Sequence, residues 1–155
     1  MNNLPAKQRT GRRLIRYGVF LFFLGLLTGL IVPMLANPRM GLSGHLEGIM
    51  NGTFLVLLGL MWPRLRLSGF VLTITFWLAI YGTYINWVTT LTAAVWGAGA
   101  SMMPIAALGH KGSPLHEAII NFGLVSLALA MLVTCVIVLW GLRGADEPIS
   151  STESA

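Results

Sequence analysis

"GLSGHLEGIMNGTFLVLLGLMW", residues 41–62, carries His45, Glu47 and Asn51 at its head and then runs into apolar residues. An apolar stretch of about 20 residues is what the hydrocarbon core of a bilayer demands of a helix. Imidazole, carboxylate and amide groups are costly in that setting, so each needs a partner or a task. The stretch therefore settles two matters together. The chain is built for a membrane, and its polar residues mark a candidate site.

The rest of the chain agrees. Its 155 residues are 55% hydrophobic and only 10% charged, with a mean hydropathy of +0.78. Soluble domains carry about 25% charged residues. A net charge of +5 would suit nucleic acid, but Lys7, Arg9, Arg12, Arg13 and Arg16 stand together ahead of the first apolar run. There they read as a membrane-topology signal. No basic face with interleaved aromatic residues follows, so no nucleic-acid partner is expected. Cys135, the one cysteine, lies inside an apolar run and has no intrachain disulfide partner.

Four spans are predicted: Leu14 to Ala36, Ser43 to Trp62, Leu67 to Trp96 and His116 to Leu142. The third is too long for a straight crossing and must tilt or project beyond the bilayer. Pro38-Arg39, Pro63-Arg64-Leu65-Arg66 and the loop "GAGASMMPIAALGHKGSP" (97–114) separate them. The expected organisation is a basic cytoplasmic segment over 1–13, an all-α four-helix transmembrane bundle over 14–143, and a polar, disordered tail over 144–155. The first span has the basic start of a signal peptide, but its apolar run exceeds the usual h-region of about 7–15 residues. It reads as a retained helix.

With the N-terminus inside, eight Lys/Arg fall on inner segments: the five N-terminal charges, Arg64, Arg66 and Arg143. Arg39 and Lys111, only two, fall outside. Positive charge concentrates on the cytoplasmic side, so both termini are expected there. A bacterial inner membrane is the expected location. On this topology His45 and Glu47 begin the second helix at the outer side, with Asn51 roughly 9–12 Å further in. His110, His116 and Glu117 mark the outer entrance of the fourth helix. Tyr84, Asn86 and Asn121 approach the same half of the membrane, so the polar residues of several segments are expected to gather there.

At 100° per residue His45 shares a face with Gly48, Ile49 and Gly52, whereas Glu47 and Asn51 share another. Gly44, Gly48 and Gly52 repeat every four residues, as do Gly25 and Gly29. Such faces let helices pack closely or oligomerise. The same face could admit a flat ligand, which makes Gly48 and Gly52 candidate cofactor contacts. His45 is either a helix-end residue or a metal ligand, the commonest role of neutral imidazole at such sites. Glu47 has a bland account as an interfacial residue that snorkels or as a first-turn anion favoured by the helix dipole. Asn51 and Asn86 lie too deep for that and are expected to face a cavity or another helix. Tyr81, Tyr84 and Trp87 crowd the same third-helix stretch, and an interfacial aromatic belt accounts for the tryptophans. No P-loop, dinucleotide fingerprint, HExxH or GxSxG sequence is present. Four helices leave little room for a transporter's inverted repeat.

"SGHLEGIMNGTF" (43–54) and "YGTYINW" (81–87) resemble segments of the hydroxylaminobenzene mutases, small bacterial integral-membrane isomerases. The resemblance extends over most of residues 12–143. That family is related to the styrene oxide isomerases, four-helix membrane proteins that bind haem b between the subunits of a trimer. Their haem-ligating histidine and an asparagine six residues on are matched by His45 and Asn51, and a third-helix asparagine by Asn86. An aspartate four residues before that asparagine and a tyrosine four after it are Gly82 and Thr90 here, a departure that favours a mutase over an epoxide isomerase.

The resemblance implies conversion of hydroxylaminobenzene, a lipid-soluble aromatic substrate, to 2-aminophenol. It implies haem b with iron on His45, a homo-oligomer of trimeric form, and catalytic roles for Asn51, Asn86, Glu47 and Tyr84, with Glu47 able to carry a proton. A bis-histidine cytochrome using His45 and His116, and a non-catalytic membrane subunit, are the competing classes.

Overall fold

Asn37 and Pro38 set the frame. The Asn37 side chain accepts a hydrogen bond from the backbone N–H of Met40, and Pro38 follows at the first helical position. This pairing caps a helix start and needs no N–H from the proline. Ser68 and Ser113 cap the next two long helices in the same way, and Gly97, at φ +60°, ends one of them in the left-handed conformation that glycine tolerates.

The computed structural model describes residues 5–143, which are helical with no strand among them. Its helices are α1 Ala6–Ile31, α2 Pro38–Met61, α3 Gly69–Trp96, the single-turn α4 Pro104–Ala107 and α5 Pro114–Gly141. Short 3-10 turns, Val32–Met34 and Trp62–Arg64, close α1 and α2. Four helices are long and apolar enough to cross a membrane. Large apolar residues point outward, Leu30 and Phe122 each being 74% exposed. In water that surface would be ruinous; in lipid it is the solvated one. The tail over 144–155 lies outside the described residues.

The long helices pack in order, α1 on α2, α2 on α3 and α3 on α5, with only light contact between α1 and α3. The bundle is thus opened out, and α2 has one flank against α1 and the other against α3. At the basic end Lys7 donates to the Leu65 carbonyl at 2.8 Å, and the Arg66 N–H to the Gly141 carbonyl at 2.8 Å. At the opposite end Asn37 is 1% exposed and ties three elements together. Its amide donates to the Ala106 and Ala107 carbonyls, and its backbone N–H donates to that of Ala94. A core of Leu14, Leu21, Leu55, Leu58, Trp62 and Phe76 fills the basic end, and a smaller one around Met40, Ala93 and Ile120 the other.

Helix starts differ from the sequence expectation. Helical order begins at Ala6, ahead of the first apolar run, and α2 begins at Pro38 rather than Ser43. At 1.5 Å per residue, Glu47 then lies about 14 Å into α2 and His45 about 10 Å. Neither belongs to a first turn, so the helix-end account of His45 and the first-turn dipole account of Glu47 fall away.

Candidate functional site

The carboxyl group of Glu47 is where α2 and α3 meet in polar contact. Asn51, one turn further along α2 and 8% exposed, donates its Nδ2 to Glu47 Oε2 at 3.0 Å. Asn86 of α3 donates its Nδ2 to the same oxygen at 2.5 Å. Both amides are thereby oriented, since only the NH2 side can face a carboxylate oxygen. Asn86 thus joins the Glu47–Asn51 pair that the sequence places on one face, and the three are one constellation.

His45 stands on the other flank of α2, about 200° from Glu47 around the helix. Its Nδ1 lies 2.8 Å from the Gly25 carbonyl oxygen of α1. A carbonyl can only accept, so a proton is on Nδ1, and in the neutral ring the lone pair is on Nε2. A ring nitrogen held this way is the arrangement that fixes a histidine as a metal ligand. Beside the ring an apolar groove of ≈ 640 Å³ runs between α1 and α2, lined by Phe23, Leu26, Leu27, Leu30, Leu42 and others. No cluster of three or more His, Cys, Asp or Glu occurs among the described residues. A lone imidazole beside an apolar groove suits a metal already held by a flat macrocycle, and suits a bare ion poorly.

The glycine face requires a correction. Gly48 and Gly52 do not border an open groove, because α1 fills it. A methyl at Gly48 would lie 2.5 Å from Gly25 Cα, and one at Gly52 would lie 2.6 Å from Phe22 N. Close helix packing accounts for both, and no flat ligand fits against them. Gly29 takes part instead: a methyl there would sit 2.7 Å from His45 Nδ1.

Other expected partners go elsewhere. Tyr84 donates its hydroxyl to the Tyr17 carbonyl of α1 at 2.9 Å and does not join the Glu47 constellation. His116 stacks on Trp96, ring centroids 4.3 Å apart, and does not line the His45 groove. Glu117 accepts from the backbone N–H groups of Gly99 and Gly112, each at 3.0 Å, and so fastens the loop ahead of α5. Asn121 accepts from Ser101 Oγ at 2.7 Å in the same loop network. The outer polar residues thus form separate groups rather than one cluster.

Some contacts escaped sequence reading. Trp87 Nε1 donates to Thr28 Oγ1 at 3.0 Å, joining α3 to α1 next to Gly48. Nothing in the pattern marked Thr28, although its place between Gly25 and Gly29 on a small-residue helix was the available signal.

Comparison with known proteins completes the description. Residues 10–143 match the styrene oxide isomerase family. The chain is 58% identical over 150 residues to hydroxylaminobenzene mutase HabB of Ectopseudomonas oleovorans, covering 93% of this chain and 92% of that protein. It is 51% identical over 125 residues to hydroxylaminobenzene mutase HabA of the same organism, covering 81% and 93% respectively. No solved structure matches the chain significantly.

Proposed function

The chain belongs to the styrene oxide isomerase family, and from that premise we propose that it is a membrane isomerase converting hydroxylaminobenzene to 2-aminophenol. The observation that carries this reading is the similarity, along nearly the whole chain, to proteins named for that mutase reaction. Substrate and product have the same composition. The N–O bond breaks, a C–O bond forms at the ortho carbon, and the proton lost from that carbon is balanced by one gained at nitrogen. No external oxidant or reductant is required.

The residues support this chemistry in distinct ways. A flat aromatic substrate partitions into lipid, and the apolar α1–α2 groove beside His45 suits such a molecule. Asn51 and Asn86, their amides set by Glu47, would hold the N–OH group at a fixed angle to the ring, and orientation of this kind is a large part of a rearrangement barrier. A carboxyl at Glu47 could also take and return the migrating proton. Tyr84, bonded to α1, would act on this site only by moving.

We further propose haem b as cofactor: His45 Nε2 would hold its iron, and the apolar α1–α2 groove would take the macrocycle. When bound, haem iron supplies a Lewis-acid position for a substrate heteroatom. His45 and Glu47 point to opposite flanks of one α2, so a site using both needs a second copy to bring one flank to the other. A homo-oligomer follows, and a trimer is the form the resemblance implies. The distribution of Lys and Arg supports both termini on the cytoplasmic face of the bacterial inner membrane.

Detergent-purified protein supplied with hydroxylaminobenzene should yield 2-aminophenol, resolved by chromatography. Unchanged substrate, or aniline as the product, would overturn the reading.

A further inference from the structure

We propose that Glu47 is the specificity-determining residue of this site: its second oxygen, Oε1, accepts from the N–H or O–H of an N-arylhydroxylamine and turns away aromatic ligands that have no donor. The proposal rests on the functional reading above and adds what it leaves open, the chemical class the site selects.

The geometry divides the carboxyl group in two. Oε2 takes both asparagine amides, from Asn51 at 3.0 Å and from Asn86 at 2.5 Å. Oε1 has no hydrogen-bond partner among the described residues, and no fully buried side-chain oxygen or nitrogen there is left without one. Oε1 is therefore reachable from outside, beside the contact of α2 with α3. Glu47 itself is half-buried, about 14 Å from the start of a membrane-spanning helix. An acceptor in that setting gains from any donor brought to it and is penalised when an apolar or acceptor group covers it.

Hydroxylaminobenzene brings both an N–H and an O–H. An aryl epoxide of similar size brings an oxygen that only accepts, so against the carboxylate form of Glu47 it would set acceptor against acceptor. Sites built to bond a substrate's donor discriminate strongly against analogues that lack it, because the site's own polar group is then left unpaired. Asn51 and Asn86 cannot supply this selection, since an amide can offer either a donor or an acceptor. Glu47 thus has two tasks on two oxygens. It orients the amides through one and reads the substrate through the other.

Glu47→Gln separates these tasks. The amide oxygen can still accept from Asn51 and Asn86, which places the new NH2 group where Oε1 was. Purified wild type and variant are compared by KM for hydroxylaminobenzene and by inhibition constant for styrene oxide, with thermal unfolding as a check on folding. The ratio of inhibition constant to KM should fall by about tenfold or more in the variant, as KM rises and the epoxide binds more tightly. An unchanged ratio, or both constants rising in proportion, would overturn the proposal and leave Glu47 as an anchor for the asparagines.

Wild type alone gives a second test that needs no variant. Methylating the hydroxylamine oxygen, and then nitrogen as well, should weaken inhibition stepwise; affinity indifferent to donor number would also sink the proposal. If wild type does not turn hydroxylaminobenzene over, the functional reading fails by itself. Equilibrium dialysis of the same compounds against both proteins decides the selectivity by the same ratio in that case, and equally where Glu47→Gln, lacking the proton-carrying carboxyl, does not turn over.

Discussion

Gly48 of α2 faces Gly25 of α1 so closely that a methyl group on Gly48 would lie 2.5 Å from the Gly25 Cα atom. Backbone meets backbone there, and the approach brings the Gly25 carbonyl within reach of His45. Glycine spacing and imidazole orientation are in this way one structural fact.

Gly48→Ala should therefore destabilise the fold, whereas Gly44→Ala should not. Forcing a methyl into a packed contact costs typically about 1–3 kcal/mol. Gly44 has space: its added methyl would meet Leu91 at an ordinary 3.5 Å, and alanine is the better helix former by about 1 kcal/mol. Thermal unfolding in detergent should show Gly48→Ala melting below wild type and Gly44→Ala at or above it. Equal effects would remove the distinction between the two glycine positions.

How far the sequence carried this reading depends on the kind of signal. Span number and type were legible from hydropathy, because a bilayer imposes length and apolarity residue by residue. The Glu47–Asn51 pairing was legible too, since four-residue spacing puts both on one face. Membership of Asn86 in the same constellation was not, because no periodicity within one helix reports the rotation of its neighbour. The glycine face of α2 was visible as a pattern, but whether a ligand or a helix filled it depended on α1. Position along α2 was misjudged for one reason: Asn37-Pro38 reads as a stop for the first span, and it is also the cap of the second.

Replacing Asn51 or Asn86 by leucine should reduce turnover by about 10²-fold while the protein still inserts and folds, because misplacement of reacting groups carries costs of that order. Groups that act through one shared partner are not additive when removed. The double variant should accordingly fall little below the worse single one in kcat/KM. Losses that multiply would show that the two amides act independently and that their common bond to Glu47 is incidental.

Glu117→Ala should loosen the loop before α5 without touching the Glu47 constellation. The carboxylate accepts from the Gly99 and Gly112 N–H groups at 3.0 Å each. Hydrogen bonds to charged groups contribute about 1.5–3 kcal/mol, so these amides should exchange with solvent at least about tenfold faster in the variant. Hydrogen-exchange mass spectrometry over residues 97–113 checks this. Unaltered exchange would mean the loop is held by its other contacts, Asn37 and Asn121 among them.

His45 carries the most exposed part of the functional proposal. If its Nε2 holds haem iron, His45→Ala should give an inserted protein that loses Soret absorbance and isomerase turnover together. Added imidazole should restore part of the absorbance by occupying the ligand position. Gly29→Ala offers a separate route to the same point, because its methyl would lie 2.7 Å from His45 Nδ1 and must turn the ring away from the Gly25 carbonyl. That variant keeps the histidine yet should weaken haem retention and shift the Soret band, since a ligand freed from its second hydrogen bond typically loses about 10–100-fold in metal affinity. Absorbance spectra of the purified variants, read beside their thermal unfolding, separate lost ligation from lost fold. Full haem content in a folded His45→Ala protein would show that the imidazole is held by Gly25 for another purpose, and the axial role would have to pass to another residue.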